Sequence, residues 1–262
     1  MTRIYTLVNQ KGGVGKTTTA INLGAYLAQM GQRVLVVDLD PQANATSCLG
    51  VDKRQVQSGT YEALINAAPP AASILYNERL KMSLLPSSPA LAGAEVELVN
   101  ELARESRLKK ALTYLDGRYD YILIDCPPSL GLLTVNGLVA AKDGLIIPVQ
   151  CEYLALEGLG QLTQTIQRVR SALFPDLRVR GVVLTMFDPR TNLATDVVAE
   201  VKRHFPEQVF KSVVPRSVRL AEAPSYGLPI SFYAPRSSGA QAYEALAKEL
   251  LMGDGLPLPA AS

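Results

Sequence analysis

The sequence predicts a doubly wound α/β fold built on a mostly parallel sheet, and three observations predict it. Short β-branched runs bounded by turn residues alternate with longer segments of helical period. Most of those runs are apolar at every position, as strands covered on both faces are. The alternation persists along the chain, and right-handed strand-helix-strand crossovers wind such a pattern into a parallel sheet with helices on both sides. The 262 residues suffice for one large core. The expected organisation is a single domain over 1–252 and a Pro/Gly/Ala-rich tail over 253–262 that frays.

In chain order the expected strands cover 4–8, 34–38, 82–85, 121–125, 145–149, 182–185 and 209–213. Each is a Val/Ile/Leu-rich run ended by Gly, Pro, Asn or Asp or by a change of period. The expected helices cover 17–30, 90–115, 132–141, 156–173, 194–205 and 239–251. Gly31 stands where a glycine cap would close the first helix, and Pro175 follows the fourth. In sheets of this type ligands bind outside the carboxyl ends of the strands, so residues just after a strand carry the functional reading.

Composition is that of a globular protein, with 48% hydrophobic and 19% charged residues and no tract of disorder-like composition. A net charge of +2 identifies no partner, so a nucleic-acid footprint would have to be a local patch. Cys48, Cys126 and Cys151 are odd in number and widely spaced, which favours buried reduced thiols over zinc, a redox pair or a disulfide framework. The apolar run after Arg3 is too short for a signal peptide, and none approaches the ~20 residues that span a bilayer. The expected location is the cytoplasm.

Directly after the first strand comes Gln10-Lys11-Gly12-Gly13-Val14-Gly15-Lys16-Thr17-Thr18, and an amphipathic helix follows at once. A loop that turns its backbone N–H groups around phosphate oxygens calls for residues without a Cβ, here Gly12, Gly13 and Gly15. The helix N-terminus behind it adds partial positive charge. Lys16 would reach the β- and γ-phosphates and the Thr17 hydroxyl would ligate Mg²⁺, so the loop reads as a phosphate-binding loop for ATP with Mg²⁺.

Gln10 occupies the first glycine position of the general G-x-x-x-x-G-K-[ST] pattern, and a second lysine, Lys11, precedes the glycines. This resembles the deviant Walker A loop of the ParA/MinD class of P-loop ATPases. The resemblance implies a nucleotide-sandwich homodimer in which Lys11 reaches the partner's ATP. It would supply in trans the charge that an arginine finger supplies elsewhere.

Two carboxylates fall at strand ends. Asp125 closes the run Tyr121 to Ile124 and resembles the Walker B aspartate that holds Mg²⁺, usually through water. Asp40, in Asp38-Leu39-Asp40-Pro41-Gln42, resembles the aspartate that positions the attacking water; on its own it also reads as a turn or N-cap residue. At an ordinary pKa of about 3.9 it would orient water rather than take its proton early. Hydrolysis is therefore expected to be slow, with Lys11, Lys16 and Asp40 as the catalytic set.

Downstream, Leu91-Ala92-Gly93-Ala94-Glu95, Pro148-Val149-Gln150-Cys151-Glu152-Tyr153, Leu184-Thr185-Met186-Phe187-Asp188 and the segment from Val214 to Pro224 are similar in order and spacing to the ParA/Soj chromosome-partitioning ATPases. The resemblance runs from about Arg3 to Leu251. It implies that Asp188 and Pro215 line the adenine site, that Glu152 lies near the nucleotide across the dimer, and that Ser217 stands where many relatives carry asparagine. It also implies ATP-dependent, sequence-independent binding of double-stranded DNA through Arg190 and Arg219, nucleoid association, and hydrolysis stimulated by a ParB-type centromere-binding partner. Charge agrees, because residues 202–236 carry six Lys/Arg against two Asp/Glu.

The nearest alternative is a MinD-like positioning ATPase that binds membranes through a basic amphipathic C-terminal helix. The last eleven residues have no basic residue and two prolines, so membrane binding is not expected. A ligase or an iron–sulfur reductase on the same scaffold is the other rival, and the reductase would need cysteines spaced to share a cluster.

Overall fold

Strands that are apolar at every position need cover on both faces, and here they have it. The computed structural model describes residues 1–66, 69–152 and 155–258, and only the backbone of 155–158. Its strands are β1 (Arg3–Leu7), β2 (Val34–Asp38), β3 (Leu75–Asn77), β4 (Met82–Leu85), β5 (Tyr121–Asp125), β6 (Gly144–Gln150), β7 (Val179–Phe187) and β8 (Val209–Pro215). They form one sheet in the order β3-β4-β2-β5-β1-β6-β7-β8, parallel throughout except for β3 against β4. The helices are α1 (Lys16–Gln29), α2 (Asn44–Cys48), α3 (Thr60–Asn66), α4 (Leu91–Glu97), α5 (Arg107–Thr113), α6 (Leu132–Ala140), α7 (Ala155–Ala172), α8 (Asn192–His204), α9 (Val218–Glu222), α10 (Ile230–Tyr233) and α11 (Ser238–Gly253).

Strand side chains alternate between faces, so each central strand feeds two cores. In β2, Val34 and Val36 join the cluster built with α1 and α11, whereas Leu35 and Val37 join the one built with α5 and α6. β5 divides likewise, with Tyr121 and Leu123 on one side and Ile122 and Ile124 on the other. Truncating one such side chain, as in Leu35→Ala, would cost about 2–5 kcal/mol.

The registers align the carboxyl ends of the inner strands: Leu7 pairs with Asp125, and Asp125 with Asp38. From β1 the chain runs outward to β2 and β4, returns at β5, and then continues to the other edge through β6, β7 and β8. The order therefore reverses at β1, and the crevice beyond its carboxyl end is where such sheets bind ligands.

Three differences from the expected elements have local causes. The helix expected over 90–115 is interrupted between α4 and α5: Ala103 is left-handed (φ 53°), and Asn136 of α6 accepts a hydrogen bond from Leu108 N–H and donates one to Arg104 C=O. A side chain thus takes over backbone groups that a continuous helix would use. β3 escapes the sequence reading because it is three residues long, mostly exposed and without an apolar run. Asp254, read as part of the tail, caps α11, and its side chain is 2% exposed. It accepts hydrogen bonds from Tyr5 (2.8 Å), Tyr121 (2.9 Å) and Arg180 (3.1 Å).

Candidate nucleotide-binding site

The loop after β1 is held open by its backbone and braced from two sides. Gly13 (φ 75°) and Gly15 (φ 89°) lie in the left-handed region, where a side chain would strain the turn. Asn9 donates to Pro148 C=O (2.8 Å) and accepts from Lys11 N–H (3.0 Å), tying the loop to β6. Thr185 of β7 donates to Val14 C=O at 2.8 Å. α1 starts at Lys16 with no side-chain cap and no acidic residue in its first turn, so its leading N–H groups remain available to an anion.

Around this helix start lies a cavity of about 280 Å³ lined by Gly12, Gly13, Gly15, Lys16, Thr17, Thr18, Asp40, Asn44, Cys48, Pro128 and Met186. Lys16 is 7% exposed, and its ammonium donates to Lys11 C=O at 3.2 Å. Burial lowers its pKa, against the pull of Asp125, Cys126 and Asp40. Thr17 Oγ1 donates to Asp125 Oδ2 at 2.7 Å, while Asp125 Oδ1 is buried without a partner. Burial first, and then the charge of Asp38, push the Asp125 carboxyl well above the ordinary carboxylate range.

Asp38 is itself raised to about 6 by burial, although Thr46 donates to it twice, at 2.7 and 2.8 Å. Asp40 is 5% exposed and accepts from Gln42 N–H at 2.8 Å, so it makes the turn contact open to any aspartate there and still lines the cavity. The Thr17 hydroxyl and the Asp125 oxygen that lacks a donor fit one side of a divalent cation. Among the described residues no group of three or more His, Cys, Asp and Glu is gathered as a metal cage. That suits Mg²⁺, which takes one or two protein ligands and completes its octahedron with phosphate and water.

A second cavity, of about 210 Å³, adjoins the first. Gly15, Thr18 and Met186 line both, and Thr185, Pro215, Arg216, Ser217, Leu220 and Tyr243 contribute to the second. The sequence reading missed Asn9, Thr185, Arg216 and Tyr243. Tyr243 comes from α11, 1% exposed, with its hydroxyl 3.1 Å from Thr19 Oγ1.

Comparison with known proteins fits this geometry. A protein-family model described as an AAA domain matches residues 2–179. The sporulation initiation inhibitor protein Soj of Bacillus subtilis is 54% identical over 250 residues, covering 95% of this chain and 98% of that protein. The chromosome partitioning protein ParA of Myxococcus xanthus is 54% identical over 252 residues, covering 96% and 89%. The chain belongs to the ParA/Soj family of chromosome-partitioning ATPases. The structure of cobyrinic acid a,c-diamide synthase from Mycobacterium smegmatis with bound ADP and magnesium superposes with a TM-score of 0.85 at 40% identity, with full coverage of both chains.

The remaining residues expected of a ParA/Soj protein are placed as follows. Pro215 and Ser217 line the second cavity. Asp188 is not among its lining residues: Arg190 donates to both of its carboxylate oxygens, at 2.9 and 2.7 Å, and holds the carboxyl down to about 2. Arg190 is 85% exposed. Arg219 donates to Glu222 at 2.9 Å, and Tyr233 donates to the same carboxylate at 3.0 Å. Glu152 lies between two cations, 3.9 Å from Lys11 Nζ and 2.9 Å from Arg216 Nη2. Cys126 and Cys151 are buried and Cys48 is half-buried, which is the inert-thiol reading for the first two.

Proposed function

We propose that this chain is an ATP- and Mg²⁺-dependent switch for chromosome or plasmid segregation. It dimerises around two ATP molecules, binds DNA without sequence preference in that state, and hydrolyses ATP slowly until a ParB-type partner accelerates it. The observation that carries the reading is the junction of the two cavities. Because they share Gly15, Thr18 and Met186, one nucleoside triphosphate can place its phosphates at Lys16 and Thr17 and its base beside Pro215 and Ser217.

In this reading the α1 N–H groups and Lys16 hold the β- and γ-phosphates. Thr17 and Asp125 would hold Mg²⁺, which would neutralise phosphate charge. Asp40 orients the attacking water at the γ-phosphate side of the cavity. Phosphoryl transfer depends mainly on positioning and charge stabilisation, so a site that lacks one positive charge turns over slowly. Lys11 supports the dimer reading, since its ammonium is directed to Glu152 at the rim rather than into its own phosphate cavity. Arg190 and Arg219 sit on the exposed surface as the DNA contacts, where phosphate binding would be strongly salt-dependent.

The Mycobacterium smegmatis protein's name keeps a carboxylate-amidating ligase as the second reading. A MinD-like anchor finds less support: α11 has no basic residue in its last turn, and it ends at an Asp254 engaged by β1, β5 and β7. The test is co-sedimentation with DNA of the wild type, Lys16→Ala and Asp40→Ala, with ATP or ADP, at two salt concentrations, alongside ATPase assays with and without DNA. The switch gives ATP-dependent, salt-sensitive pelleting that Lys16→Ala abolishes. Pelleting indifferent to nucleotide refutes it, and hydrolysis that depends on a small carboxylic acid instead of DNA favours the ligase.

A further inference from the structure

From Arg216, which lines the base cavity, extends a set of charges of alternating sign. Lys11 faces Glu152 at 3.9 Å, and Glu152 takes a 2.9 Å hydrogen bond from Arg216. Arg216 also adds to the pull that keeps the Asp188 carboxyl low, a pull dominated by Arg190. Arg216 stands at the centre of this set, and its backbone is fixed: it follows the end of β8, and its N–H donates to Phe187 C=O of β7 at 3.0 Å. Neither the phosphate loop nor the carboxylate motifs explain an arginine here.

We propose that Arg216 is a positioning residue for dimerisation: it anchors Glu152, and through Glu152 the ammonium of Lys11, so that both side chains are set in place before a second nucleotide-bound copy arrives. The inference rests on the dimer reading above. Lys and Glu side chains lose much rotamer freedom when an interface immobilises them, and prior anchoring lowers that cost. A guanidinium suits the task, because it can grip a carboxylate on one side while its other N–H groups face a second anion. Since the set is partly exposed, each link is weak, and the effect comes from three charges sharing one geometry at an interface that contains two copies of it.

The test is the dimer dissociation constant of the full chain with Mg²⁺ and a non-hydrolysable ATP analogue, measured by sedimentation for the wild type, Arg216→Ala, Arg216→Lys, Glu152→Gln and the Arg216→Ala/Glu152→Gln pair. ADP affinity of the monomer is measured in parallel. Arg216→Ala is expected to weaken the dimer about three- to ten-fold beyond whatever change it makes in the monomer's ADP affinity, because Arg216 also lines the base cavity, and Arg216→Lys to recover most of that excess loss. The double variant is expected to be no weaker than Glu152→Gln alone, because Arg216 acts through that carboxylate. Wild-type dimer strength in Arg216→Ala, an equal loss of ADP affinity, or additive losses in the double variant would overturn the proposal. A wild type that stays monomeric with the analogue overturns the dimer reading itself, and this inference with it.

Discussion

Thr17 donates a 2.7 Å hydrogen bond to one oxygen of Asp125, and the other oxygen of that carboxylate is buried without a partner. Asp38 pairs with Asp125 across adjacent strands, so two buried carboxyls lie side by side at the carboxyl ends of β2 and β5. An arrangement so costly to the protein alone makes sense where a cation completes it.

Removal of the Asp125 charge should therefore have opposite effects with and without ligand. A carboxyl whose folded pKa lies above its unfolded value binds more protons folded than unfolded between the two values. Stability without ligand falls as pH rises through that window. Asp38, raised to about 6, contributes the part between about pH 4 and pH 6, and Asp125, raised well above the ordinary carboxylate range, adds to the fall. In melting curves without nucleotide, Asp125→Asn should flatten this fall. With ATP it should lose most of the extra stabilisation that Mg²⁺ adds in the wild type. An unchanged pH slope, or an unchanged Mg²⁺ increment, would count against the assignment.

Lys16→Ala removes the only side-chain ammonium that lines the phosphate cavity among the described residues. ATP binding should weaken by about 100-fold, the loss of a charge-assisted contact in a dry site. Calorimetric titration measures it, and near wild-type affinity would place the phosphates elsewhere.

Asp40 makes a turn contact to Gln42 as well as lining the cavity, so Asp40→Asn is a cleaner variant than Asp40→Ala because it can keep the turn acceptor. Either variant should retain ATP-dependent DNA binding and lose at least about 90% of hydrolysis, as removal of a water-positioning group does. Hydrolysis equal to the wild type would remove Asp40 from the mechanism.

The cavity at the start of α1 was legible as a candidate phosphate site because its lining is largely contiguous: Gly12 to Thr18 supply backbone and cation, and Asp125 closes and Asp40 follows strands whose apolar runs are unmistakable. The base cavity was readable only in part. Arg216 lies between Pro215 and Ser217 in a segment the sequence does single out, whereas Tyr243 enters the cavity from α11, a contact made by the folding of a distant segment and marked by no local spacing. The break between α4 and α5 was hidden for the same reason, since the group that competes for its backbone is Asn136, about thirty residues onward. β3 lacks a signal of any period because it is only three residues long and Leu75 and Tyr76, which point to opposite faces, are both exposed.

Arg190 and Arg219 are each held by a neighbouring carboxylate, Asp188 and Glu222, in pairs exposed enough to be weak. Both remain able to turn to a phosphate. Arg190→Ala/Arg219→Ala should reduce DNA affinity and shrink the salt slope by about two ions while preserving the ATP-bound dimer. A double variant with unchanged DNA affinity and salt slope would move the interface elsewhere.

Asp254 offers a prediction about stability that is separate from catalysis. Its nearly buried carboxylate gathers Tyr5 of β1, Tyr121 of β5 and Arg180 of β7, with Arg3 at 3.7 Å, and so fastens the end of α11 across the sheet. α11 in turn packs on α1, whose Thr19 meets Tyr243. Asp254→Ala leaves two tyrosine hydroxyls and a half-buried guanidinium without their acceptor, which should cost about 2–4 kcal/mol. Asp254→Asn keeps one acceptor oxygen and should lose roughly half of that. Denaturant unfolding measures both, and the order wild type, Asn, Ala is the decisive feature. If truncating 253–262 or substituting Asp254 left stability unchanged, α11 would be held by its apolar face alone, through Leu246, Leu250 and Leu251.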